Sequence, residues 1–207
     1  MKRILVCLSL LSVLVCLAPN HAKAITYDLN YIIAGGTTLT PTSSYGTVTL
    51  TDNGNNVDIS IDLVGSTLKI HRFYLNYDDT LFTNSSPFGI TVGAITVDKN
   101  ILKPDGYAYY FDLRVDGGGG GSTLDLIDIY NGTISLTSFN LNPQHFDFKD
   151  IGGNLFVAVH IGNITNIPGV DSLWVGGTPI PEPATMLLLG SGLIGLAGFA
   201  RKRFLKK

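Results

Sequence analysis

Glutamate and tryptophan each occur once in these 207 residues, and cysteine only twice. Both cysteines, Cys7 and Cys16, fall in an apolar stretch near the start, so no thiol remains beyond Ala24. That excludes disulfides, thiolate metal sites and cysteine catalysis from the rest of the chain. Cations are nearly as scarce in the middle. Eight of the 14 Lys and Arg lie before Ile25 or after Ile180, leaving six to face 15 aspartates. The whole-chain charge of −2 hides this acidic segment. Its sign argues against nucleic acid or anionic lipid as a partner and suits solubility, a hard cation or neutral glycans. A domain without glutamate also lacks the commonest acid of glycoside hydrolysis. Its serines lack a G-x-S-x-G elbow. The glycine run Gly117–Gly121 has no Lys-Ser/Thr ending, so it is a loop and no phosphate cradle.

Residues 1–24 have the layout of a secretory signal peptide. Lys2 and Arg3 precede an apolar core from Ile4 to Ala18, and Ala22-Lys23-Ala24 supplies an A-x-A cleavage site. Val15 before Cys16 is too large for a lipoprotein box. The expected partners at this step are the Sec translocon and signal peptidase.

Residues 25–177 read as a single secreted domain, long enough for a core of its own. In "NVDISIDL", Val57, Ile59, Ile61 and Leu63 alternate with Asp58, Ser60 and Asp62. "GTVTLTD" does the same with Val48 and Leu50 against threonines, and "DNGNN" between them is a hairpin turn. "YAYYFDLRV" sets Tyr107, Tyr109, Phe111, Leu113 and Val115 on one side. "LFVAVHI" places Leu155, Val157, Val159 and Ile161 together. Further strands are expected at 26–34, 67–77, 88–98, 133–139 and 172–175, with at most a helical turn within 123–130. Period two and closely spaced turn signals predict an all-β fold, an antiparallel β-sandwich of jelly-roll type.

Residues 178–207 read as a linker and tail, the Gly- and Pro-rich linker beginning at Gly176. Pro181-Glu182-Pro183 is stiff and extended. Ala184 to Ala200 carries no charge and spans roughly 25 Å as a helix. Phe204, Leu205 and snorkelling basic side chains make up the remainder of a bilayer core of about 30 Å. A transmembrane helix over 184–200 is therefore expected. Arg201, Lys202, Arg203, Lys206 and Lys207 would hold the 201–207 end in the cytoplasm. Ser191 and Gly195 have small-xxx-small spacing.

The stretch "PEPATMLLLGSGLIGLAGFARKR" resembles a PEP-CTERM sorting signal: a Pro-Glu-Pro triplet, a short Gly-rich span and a basic cluster, in that order. Ile180 stands where valine is common, and Phe204 to Lys207 extend the pattern. The resemblance implies recognition by an exosortase, a membrane cysteine transpeptidase of Gram-negative bacteria that make exopolysaccharide. It further implies cleavage near Pro181, Glu182 and Pro183 and delivery to the cell surface or extracellular matrix. An ordinary C-terminal anchor in the inner membrane is the alternative.

Inside the domain the candidate sites are weaker. Asp78 with Asp79, Asp125 with Asp128, and Asp147 with Asp150 are oxygen pairs suited to calcium, or else solvated turn residues. His71, His145 and His160 show no H-x-x-x-H or H-x-H spacing. Trp174, Tyr107, Tyr109, Tyr110, Phe73 and Tyr74 are the aromatics able to stack on sugars if exposed. The expectation is a non-enzymatic surface or matrix protein of an exopolysaccharide or biofilm layer, with no cofactor unless calcium. A carbohydrate-binding module is the alternative, and a secreted hydrolase a distant third.

Overall fold

A computed structural model describes residues 24–65, 67–117, 123–150, 153–165 and 167–180, together with Gly190 and Leu193, which are helical. The residues before Ala24 expected as a signal peptide, the Pro-Glu-Pro triplet, most of the expected span 184–200 and the 201–207 basic tail lie outside the described residues. Among the described residues no helix is long and apolar enough to cross a membrane.

The strands are β1 (Ala24–Ile33), β2 (Leu39–Pro41), β3 (Gly46–Asn53), β4 (Asn56–Leu63), β5 (Lys69–Leu75) and β6 (Phe88–Ile90). They continue with β7 (Ala94–Leu102), β8 (Phe111–Asp116), β9 (Leu126–Ile127), β10 (Ile129–Leu136), β11 (Val157–Gly162) and β12 (Ser172–Pro179). One 3-10 turn, Pro143–Phe146, lies between β10 and β11.

β3 and β4 show why the chain folds this way. Val48, Leu50, Val57, Ile59 and Ile61 are buried while their polar neighbours face outward. Gly54 has φ +70 at the first central position of the connecting turn, which a residue with a side chain rarely adopts. The hairpin then pairs in register from Gly46–Leu63 to Asn53–Asn56.

The antiparallel all-β expectation holds, but the two-sheet, jelly-roll arrangement does not describe the molecule. All strands belong to one sheet, ordered β6-β10-β4-β3-β1-β12-β11-β5-β8-β7, with β2 beside β1 and β9 beside β5. Its end strands β6 and β7 are joined through Thr91–Gly93 and lie in contact, so the sheet nearly closes into a barrel. Gly93 allows the tight passage, since a Cβ there would meet the Asp116 carbonyl oxygen at 2.5 Å. Alternation alone cannot separate these architectures, because each strand turns one face inward in both.

The barrel interior is the main core, including Tyr27, Leu50, Ile59, Phe73, Leu113, Tyr130 and Val159. A second cluster sits on the outer face of β5, β11 and β12: Tyr74, Ala158 and Trp174 meet Ile33, Leu102, Tyr107, Phe111 and Leu155. Two bulges create it. In β1 the pairing shifts between Asp28 and Tyr31, so Tyr27 and Leu29 point inward but Ile33 joins the outer cluster. In β5 the register slips at His71: His160 faces Arg72 and Ile161 faces Ile70. A bulge changes the parity of the side chains beyond it.

Several local expectations are corrected. Tyr107 to Tyr110 are not strand; they form a loop whose Gly106 carbonyl accepts from Gly36 N–H and whose Ala108 N–H donates to the Gly36 carbonyl at 2.7 Å. Residues 126–127 and 129–130 are strand where a helical turn was expected. The 88–98 stretch is broken at Thr91–Gly93. Leu155 belongs to the outer cluster, apart from Val157, Val159 and Ile161. Gly176 to Pro179, expected as linker, are the end of β12.

Candidate functional site

β1 and β12 are neighbours, so the start and the finish of the described barrel leave it at the same end. Ala24 is exposed and pairs with Thr51 at the head of β1; Ala22 lies outside the described residues. On the other side of β1, Tyr27 stands opposite Pro179. One residue further, the Ile180 N–H donates to the Thr26 carbonyl at 2.8 Å. Tyr27 is fixed from beneath: its hydroxyl donates to Asp147 Oδ1 at 3.3 Å, and its ring stacks on Phe156 at 5.8 Å. Burial, then the Asp147 charge, pushes this phenol well above its ordinary range. Beside Pro179 lies an open groove of about 620 Å³ lined by Tyr31, Leu39, Lys149, Asn154, Phe156 and Thr178.

The aspartate pairs do not converge. Asp78 and Asp79 follow β5 at this end, whereas Asp125 and Asp128 flank β9 at the opposite end. The Asp78 Oδ1 accepts from the Thr80 amide at 2.9 Å and hydroxyl at 2.6 Å, which holds its carboxyl below the usual range. Asp79 pairs with Lys99 at 3.1 Å, and Asp125 with Lys69 at 3.0 Å. Asp125 and Asp128 take positive φ values of 51° and 58°, as turn residues do. Asp147 serves Tyr27, while Asp150 is buried beneath Tyr107. Among the described residues no group of three or more His, Cys, Asp or Glu is placed to hold a metal ion.

Two histidines far apart in sequence do meet. The rings of His71 and His160 lie 5.0 Å apart edge to face, and His160 stacks on Trp174 at 4.5 Å and 17°. A Cβ on Gly162 would strike the His71 ring at 2.3 Å, so that glycine makes the room. His160 Nε2 lies 3.2 Å from Ser172 Oγ. Burial, assisted by His71 and then Arg72, lowers the His160 pKa to about 4. Burial also lowers His71, against the pull of Asp125. A base that weak is poorly suited to activating Ser172 near neutral pH. His145 has a structural task, accepting the Asn142 N–H at 3.1 Å to close the 3-10 turn.

Most of the aromatics named for sugar stacking are spent on packing. Phe73, Tyr74, Tyr107 and Trp174 are buried and Tyr109 is half-buried; Tyr110 is exposed, with Lys103 Nζ 5.3 Å from its ring centre.

Comparison with known families finds one match, to the PEP-CTERM protein-sorting motif, over residues 179–203. The chain carries a sorting signal. No curated protein and no solved structure matches the chain. The motif implies an exported protein, anchored in a membrane and then processed, with an exosortase as its processing partner. Its first two residues, Pro179 and Ile180, are the last of the β12 end to pair with β1. The sorting signal therefore starts inside the barrel. Glycine and proline composition reads as a linker here and so hides the overlap with β12. The alternation Val175-Gly176-Gly177-Thr178 gave no counter-signal.

Proposed function

We propose that this chain is an exported, non-enzymatic surface or matrix protein, sorted by an exosortase and associated with exopolysaccharide in a biofilm. The Sec translocon passes it across the inner membrane, and signal peptidase cuts after Ala24. Residues 184–200 then hold it in the membrane, with Arg201, Lys202, Arg203, Lys206 and Lys207 inside. Cleavage near Pro181, Glu182 and Pro183 sends the barrel to the surface of a Gram-negative cell.

The observation that carries this reading is the match at residues 179–203, joined without slack to β12. The acidic barrel fits a soluble cargo, and the packed aromatics favour a structural role over sugar stacking. Replacing Pro181, Glu182 and Pro183 with alanine tests it directly. The variant should keep its tail and stay in the inner membrane. Normal tail removal in that variant would falsify the sorting assignment.

A further inference from the structure

Very little chain separates the last hydrogen bond of the barrel from the apolar run. Ile180 is fastened to Thr26, and Ala184 opens the uncharged stretch, so only Pro181, Glu182 and Pro183 intervene. Fully extended, the four steps from Ile180 to Ala184 cover at most about 14 Å. In the geometry prolines favour they cover about 12 Å. The headgroup layer on one side of a bilayer takes roughly 5–7 Å of that. What remains is less than the spacing of about 10 Å between two packed sheets.

We propose that, before cleavage, this end of the barrel rests on the phospholipid bilayer, with Phe148, Lys149 and Ile180 in the headgroup layer. The inference rests on the membrane-anchored reading above. Ile180 is 45% exposed and Phe148 38% exposed, so both offer apolar surface without unfolding anything. Phe148 is held in place, because its carbonyl accepts from the Asn76 side chain at 3.2 Å. Lys149 lies over Phe156 at 5.7 Å and lines the groove beside Pro179, a position from which its ammonium reaches lipid phosphate.

The tether chooses this end. Ile127 and Ile129, at the opposite end, are more exposed at 59% and 52% but are not joined to an apolar run. The net negative charge of the barrel opposes an anionic surface, so the contact is imposed by the covalent link. Cutting that link then favours departure.

The mature chain has no cysteine, which permits single-site labelling of the full 25–207 polypeptide. Phe148→Cys and, as a control, Ile129→Cys would carry an environment-sensitive dye in vesicles of phosphatidylethanolamine and phosphatidylglycerol. Some vesicles would include a headgroup nitroxide lipid. The expected result is a blue-shifted dye at 148 that loses most of its emission to the nitroxide, and neither effect at 129. A spacer of about 20 Gly and Ser residues after Ile180, roughly 25 Å in root-mean-square length, should abolish the difference. Chain that floats with the vesicles yet responds alike at 148 and 129 overturns the proposal and leaves the processing enzyme as the partner of this face. Undiminished quenching with the spacer overturns the tether argument. Failure to float at all defeats the anchored reading, and the proposal falls with it.

Discussion

The hydroxyl of Tyr107 donates to Asp150 Oδ2 at 2.5 Å, and both residues are buried. The other carboxylate oxygen accepts the Leu155 N–H at 3.2 Å, so one aspartate fastens the 103–110 loop to the entrance of β11. Burial raises the Asp150 pKa, opposed by the Tyr107 hydrogen bond. Tyr107→Phe removes the donor and leaves the carboxylate partly unanswered. The expected loss is about 1.5–3 kcal/mol, the range for a hydrogen bond to a charged group. Urea unfolding of the two proteins measures it, and an unchanged midpoint would show that Asp150 finds another donor.

Trp174 is the centre of the outer cluster, between His160 at 4.5 Å and Tyr74 at 5.3 Å. Trp174→Ala should cost about 3–5 kcal/mol, and Trp174→Phe distinctly less. Because the 103–110 loop packs on this cluster through Tyr107, the alanine variant should also be nicked there sooner by protease. Equal nicking rates would detach the loop from the cluster.

Acid should weaken the barrel through its histidines. His160 has a folded pKa of about 4, against 6.5 for the free side chain. Its contribution is complete above pH 6.5 and is lost as pH falls toward 4, because the unfolded chain takes up the proton first. His71 and His145 are shifted in the same direction. Asp112 and Asp150 act oppositely: their raised pKa values mean the folded form binds protons first, which gains stability as pH falls. His160→Gln should therefore flatten the decline in melting temperature between pH 6.5 and 4. A decline parallel to that of the parent protein would remove His160 from the account.

The end of β12 sets where the tail can be removed without harm. A chain stopped after Ile180 keeps every pairing to β1, whereas one stopped after Gly177 loses those of Thr178, Pro179 and Ile180. At about 0.5–1.5 kcal/mol for each hydrogen bond, the shorter form should be weaker by roughly 2–4 kcal/mol. Thermal unfolding of the two truncations decides it, equal stability being the contrary result.

Calcium should leave the melting temperature unchanged, as should a chelator. Asp79 and Asp125 are already matched to lysines, the Asp78/Asp79 and Asp125/Asp128 pairs lie at opposite ends, and Asp147 and Asp150 accept from Tyr27 and Tyr107. A rise with added calcium would establish a site built from other oxygens.

What the sequence revealed follows from how local each signal is. The β3–β4 hairpin was readable because alternation and turn chemistry sit side by side in residues 46–63. The sorting tail was readable because three unlike features follow in fixed order. By contrast, the bulges at Asp28/Tyr31 and His160/Ile161 belong to pairs of strands, and neither strand reports them alone. Those bulges bring His71 to His160 and create the outer cluster. Tyr107-Ala108-Tyr109-Tyr110 alternates like a strand, yet the aromatics cap an external surface.

The strand leading to the tail is bordered on both sides, by β1 and β11, and its hydrogen bonds run across its length. Tugging on the exit point therefore loads two rows of bonds in shear, so they share the strain where a peeled edge would yield one bond at a time. A barrel pulled by its tail is gripped along the direction in which it is hardest to unravel.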